Sequence, residues 1–137
     1  MVEFCVKLLM PRMKTLEINV HIKDFKEDDS YGYAIATNEA CDVRPREFDV
    51  DINKHTRLRR LLETVAHEMV HVKQFARGEL YQSSVTAKHR WQGNWQRGEK
   101  HYYDLPWEIE AHGREIGLFV RWAETNGHAS KAWTQED

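Results

Sequence analysis

Thr64-Val65-Ala66-His67-Glu68-Met69-Val70-His71 lies in the middle of a run from Thr56 to Arg77 that reads as one long helix. Leu58, Leu61, Leu62, Val65, Ala66, Met69, Val70 and Phe75 recur at the i, i+3, i+4, i+7 spacing of a buried helical stripe. Thr56 is a suitable N-cap, and Gly78 follows Arg77 where a left-handed residue ends a helix. On such a helix His67 and His71 project from one face, with about 6 Å between their Cβ atoms. That is the bite of a single Zn²⁺ ion. Glu68 then points to the side where a metal-bound water would lie, placed to take its proton as general base.

The string by itself is modest evidence. With eight His and fourteen Glu in the chain, shuffling would produce H-E-x-x-H in roughly one sequence in twenty. The helical periodicity is independent of the motif and supplies the geometry the motif needs.

Composition bounds the remainder. A chain of 137 residues, 41% hydrophobic and 31% charged, fits one domain with a small but genuine core. The net charge of -2 gives no reason to expect nucleic acid or an anionic membrane as the main partner. Cys5 and Cys41 have no C-x-x-C spacing and read as free thiols of a reducing compartment. No secretory leader or membrane-length apolar run is visible, so a cytoplasmic location is expected, the host cytoplasm for a phage-encoded chain.

Along the chain, Val2, Phe4, Val6 and Leu8 alternate as in a strand ended by Pro11, with a short helix as the other reading. Leu16, Ile18, Val20 and Ile22 alternate with polar residues, including His21, as a half-buried strand. Residues 31–37 resemble a third strand, followed by turn residues Asn38-Glu39-Ala40, and Phe48 to Ile52 alternates as a fourth. That fourth strand, immediately before the motif helix, is the expected sheet edge over the site, where an extended peptide could pair. Arg57, Arg59 and Arg60, at the start of the motif helix, are candidates to meet Asp49 or Asp51. Residues 79–104 carry Trp91, Trp95, His101, Tyr102 and Tyr103 and read as an ordered loop or hairpin folding back over the cleft. Pro106 opens a last helix that runs to about Glu124 and stops at Asn126-Gly127. Residues 128–137 are expected to fray.

A catalytic zinc site needs three protein donors and an open position. Glu108, Glu110, His112 and, after the motif helix, His89 are the candidates for the third. The apolar stripe Ile109, Gly113, Ile116, Val120, Ala123 reads as the buried face of the last helix, with Glu110 on the flank shared by Gly113 and Gly117 and Glu108 on the far flank. Two glycines one turn apart suggest a close approach of another element there, which favours Glu110.

The segment Thr64 to His71, preceded by a strand, resembles the small zincin-like metallopeptidases of the SprT-like and minigluzincin type. Pro106-Trp107-Glu108-Ile109-Glu110-Ala111 resembles the Glu-Ala signature that carries the third ligand in gluzincins. Small phage and bacterial proteins of metallopeptidase type share this pairing. The resemblance covers about residues 48 to 120 and implies a Zn²⁺ site of His67, His71 and Glu110, with Glu68 as base. SprT-like proteases instead take a third His from a loop after the motif, where His89 stands here, and this chain lacks their C-terminal four-cysteine ribbon.

The expected fold is therefore α+β, a single zincin-like domain over residues 1–137 with an N-terminal antiparallel sheet, the motif helix and a second C-terminal helix. The expected activity is hydrolysis of peptide bonds in a protein or peptide substrate by a monomer, with no nucleic acid and no membrane partner. A non-catalytic zinc-binding interaction module is the alternative, and a nuclease is a weaker third.

Overall fold

In the computed structural model, residues 1–37, 44–54 and 57–135 are described. Thr56 as N-cap, the turn at Asn38-Glu39-Ala40 and the state of Cys41 lie outside those residues. The described residues form a small α+β fold of three α-helices and two three-stranded sheets. Among the described residues, no helix is long and apolar enough to cross a membrane.

Helix α1, Val2–Leu9, replaces the strand expected at the N-terminus. Apolar residues occupy so many of these positions that period 2 and period 3.6 both fit. The helical solution buries Cys5 and Leu9, four residues apart, against the core.

Strands β1 (Glu17–Lys23), β2 (Gly32–Ala36) and β3 (Glu47–Asn53) make the first sheet in the order β1-β3-β2. The expected all-antiparallel sheet is corrected: β1 and β3 run parallel, with Val20 opposite Val50, while β2 is antiparallel to β3. The expected edge is corrected too. β3 is the central strand, fully buried at Phe48, Val50 and Ile52, and the edges are β1 and β2.

Helix α2, Leu58–Ala76, packs against the sheet, α1 and the last helix. Residues 63–74 are buried without a break, so this is a central helix enclosed on every side. Several of its polar members find partners in the interior: Glu63 accepts from Arg59 Nε at 2.7 Å, and Thr64 Oγ1 donates to the Arg60 carbonyl at 2.7 Å. Arg60 also reaches Glu63, whereas Asp49 and Asp51 pair with His21 and Lys23. Gly78, at φ 71°, ends the helix as expected, with Glu79 N–H donating to the Gln74 carbonyl.

Gly32 sets how closely β2 lies on α2. A Cβ there would stand 2.9 Å from Thr64 Cγ2 and 3.0 Å from the Asp51 carbonyl oxygen. Only glycine lets the edge strand approach the motif helix so closely.

After α2, β4 (Leu80–Gln82), β5 (His89–Trp91) and β6 (Asn94–Trp95) form a small antiparallel sheet. A 3₁₀ turn at Tyr102–Asp104 leads into α3, Pro106–Thr125, which packs along α2. Of the segment expected to fray, residues 128–135 are packed instead: Trp133 lies against Phe119, Trp122 and His128, and Arg59 donates to the Thr134 carbonyl, while residues 136–137 lie outside the described residues.

The phase of α3 differs from the expected one. Ile109, Ile116 and Val120 are 57%, 52% and 41% exposed, and nothing lies within 4 Å of a Cβ built at Gly113 or Gly117. The buried face carries Trp107, Glu108, Ala111, Leu118, Phe119 and Ala123 instead.

Candidate metal centre

Helical spacing delivers His67 and His71 to one face of α2, and the buried face of α3 lays Glu108 against both. His67 Nε2 is 3.2 Å from Glu108 Oε2, His71 Nε2 is 3.2 Å from Glu108 Oε1, and the two Nε2 atoms are 3.2 Å apart. Donors bound at about 2.0–2.1 Å to one tetrahedral metal ion stand about 3.3 Å from each other. The two histidine nitrogens have that spacing, and a Glu108 oxygen lies at that distance from each, so the three groups could hold one metal ion.

The other ring nitrogens determine what these three atoms offer. His67 Nδ1 lies 2.7 Å from Glu115 Oε2 and donates its proton there. His71 Nδ1 lies 2.8 Å from Gln74 Oε1. Gln74 is fully buried, and its amide nitrogen donates to the Trp107 carbonyl and to Glu110 Oε1, both at 2.9 Å, so its oxygen faces the histidine. With both Nδ1 protons committed outward, both Nε2 lone pairs turn towards Glu108. Three electron-pair donors then converge, and a cation must stand among them. In the metal-free molecule that cation is a proton. Burial opposes it, but Glu108 and Glu115 outweigh burial and lift His67 to about 9. His71 is raised as well: burial pulls against its charge, and Glu108 and Glu68 prevail.

Glu110, the expected third donor, is not in this cluster. Its carboxylate accepts from Lys73 Nζ at 2.7 Å and from Gln74, and Arg114 lies beside it. The glycine flank that favoured it is open space, and Glu108 takes its place because the helix is rotated. Glu110 acts at one remove, anchoring the Gln74 amide that orients His71. His89 stacks on Trp107 with ring centroids 4.9 Å apart and is in neither group of donor atoms, although it lines the same cavity. His112 lies next to it: His67, His112 and Glu115 also have ligand atoms within 4.8 Å of one another. There, however, the Glu115 contact with His67 is a 2.7 Å hydrogen bond, shorter than the spacing of two donors on one ion. His67, His71, Glu108 and His112 are thus the residues that could hold a metal ion.

Glu68 is 4% exposed and lies on the wall of a cavity of about 690 Å³ between β2, α2, α3 and the loop at Tyr102. Burial raises its pKa, against the pull of the two histidines. Tyr102 closes the other side. Its hydroxyl donates to Glu108 Oε2 at 2.7 Å and lies 3.2 Å from His112 Nε2. Burial and the Glu108 carboxylate push the phenol well above its ordinary pKa, so it stays a hydrogen-bond donor. The same set of contacts holds Glu108 well below the usual carboxylate range: burial opposes this, and His67, His71 and Tyr102 overcome it.

Glu115 and Gln74 had no place in the expectations from sequence. Both were within reach of spacing: Gln74 is three residues after His71, and Glu115 is seven after Glu108, each on its partner's helical face.

No family model matches the sequence, and no curated protein or solved structure is significantly similar to it.

Proposed function

We propose that this protein is a zinc-dependent peptidase that binds an extended peptide along β2 and cleaves it beside Glu68. The observation that carries the reading is the convergence of His67 Nε2, His71 Nε2 and Glu108 at 3.2 Å, with both Nδ1 protons tied outward and a buried carboxylate next to them. Two imidazoles and one carboxylate suit Zn²⁺, and three protein donors leave a position open. When bound there, zinc supplies Lewis acidity and brings the pKa of a water towards 7.

The remaining chemistry belongs to the chain. Glu68, with its proton affinity raised by burial, accepts a proton from the attacking water and returns it to the departing amine. Tyr102, kept protonated, and His112 beside it offer hydrogen bonds to the oxygen that gains charge in the transition state. Among the described residues β2 pairs with β3 alone, and its other edge supplies backbone groups for pairing with substrate. Glu115 and Gln74 keep the histidines in the right tautomer and orientation.

A zinc-binding module without chemistry is the competing reading. It would keep Glu68 buried, at a cost in desolvation, with nothing to do. Measuring zinc content and digestion of an unfolded protein substrate for wild type and Glu68→Gln separates the two. The expected result is stoichiometric zinc in both and hydrolysis only in wild type. Zinc in both with equal residual hydrolysis removes Glu68 as base and, with it, this proposal.

A further inference from the structure

We infer that the outer face of the β4–β6 sheet is a docking surface for single-stranded nucleic acid. Residues 80–98 contain three cations, Lys88, Arg90 and Arg97, and no Asp or Glu, in a chain whose net charge is -2. The low overall charge conceals this segregation.

The register puts the cations on a face with aromatic rings. Arg90 pairs with Tyr81 on one side and with Trp95 on the other, so these three form one row across the sheet. Lys88 and Arg97, two residues from Arg90 and Trp95 along the chain, extend that face. The ladder reaches them through Ser83 N–H to the Lys88 carbonyl at 2.9 Å and Gln96 N–H to the His89 carbonyl at 2.8 Å. The opposite face is used: His89 and Trp91 lie against Trp107, and Leu80 is buried. The row of Tyr81, Arg90 and Trp95 therefore looks away from the protein and from the cleft.

Arg90 is held in place without being neutralised. Its guanidinium carbon lies 4.9 Å from the Tyr81 ring centroid and 5.7 Å from that of Trp95. Among the described residues, Lys88, Arg90 and Arg97 have no carboxylate partner, in contrast to Lys23, Arg59 and Lys73. Trp95 is 46% exposed. Oriented cations free of internal acids select an anion, and an exposed indole beside them selects an anion with flat apolar rings. Unpaired bases on a phosphate chain satisfy both conditions. An acidic peptide would use only the charges, and a duplex would keep its ring faces stacked away from Trp95.

The test uses the full chain and a labelled thymidine oligonucleotide of about ten nucleotides, read by fluorescence anisotropy. Binding at about 50 mM salt is expected, with log K falling against log salt at a slope of about -2, as three neutralised phosphates require. Trp95→Ala should weaken binding roughly tenfold. The Lys88→Ala/Arg97→Ala double variant should flatten the salt slope by about 1.4. No binding at low salt would overturn the inference. So would binding that both variants leave unchanged, binding of duplex as tight as of single strand, or displacement by polyglutamate of equal length as effective as by unlabelled oligonucleotide.

Discussion

Replacing Glu108 by Gln keeps the shape of the side chain but removes the charge that both histidines face. The consequence can be sized. Four-donor zinc sites bind with about 10–16 kcal/mol, or about 2.5–4 kcal/mol per donor. Loss of one donor should therefore weaken zinc binding by roughly 10²- to 10³-fold. Glu110→Gln makes the informative contrast, because it changes a carboxylate on the same helix, two residues away. Lys73 would keep Glu79 at 2.8 Å, and the Gln74 amide would keep the Trp107 carbonyl at 2.9 Å, so His71 stays oriented. Zinc affinity should then shift by no more than about threefold, while stability falls by about 1–2 kcal/mol through the weakened contact with buried Lys73. Competition against a chromogenic chelator reads the first quantity, and urea unfolding of the metal-free protein reads the second. Should affinity collapse in Glu110→Gln and survive in Glu108→Gln, the rotation of α3 described above is wrong, and with it the assignment of the donor set.

Three further outcomes are expected. Glu115→Gln should lower zinc affinity about 10- to 100-fold while leaving all three donors in place, measured by the same competition. In the metal-free protein, the raised pKa of His67 contributes stability that is complete below its unfolded value near 6.5 and disappears as pH rises through about 9. Urea unfolding in the presence of a chelator should show a loss of roughly 3 kcal/mol across that window, and a flat profile would contradict the hydrogen bonding assigned to His67. Finally, Gly32→Val should destabilise the protein by about 1–3 kcal/mol, because its side chain would collide with Thr64 and the backbone of β3. Thermal unfolding against an exposed control such as Asn94→Ala checks it.

Helix α2 and its stop at Gly78 were legible because periodicity and cap chemistry agree there, and the bounds of α3 were legible from Pro106 and Asn126-Gly127. The strand segments were also visible, but their order was not. Alternation says which residues share a face and nothing about which strand lies next to which, so the parallel pairing of β1 with β3 had no local signal. The choice between Glu108 and Glu110 failed for a different reason. A helix face that presents Glu108, His112 and Glu115 to a polar site is less apolar than the solvent face carrying Ile109, Ile116 and Val120. Hydrophobicity therefore selects the wrong side of α3, at the very place where function replaces apolar residues with donors. The charge segregation over residues 80–98 was hidden by averaging over the whole chain.

The position of β3 between β1 and β2 also constrains the order of assembly. Among the described residues both earlier strands pair with β3 alone, so during chain growth neither has a neighbour in that sheet until residues 47–53 arrive. β2 and β3 are consecutive antiparallel strands and can pair as a long-looped hairpin, but β1 must wait for that hairpin, and the pairing of Val20 with Val50 closes a loop of thirty residues. The wall that β2 contributes to the cleft is completed when β3 and the enclosed helix lock together. Opening of that wall and loss of the central strand should accordingly appear as one cooperative event in hydrogen exchange, with the β4–β6 sheet exchanging independently.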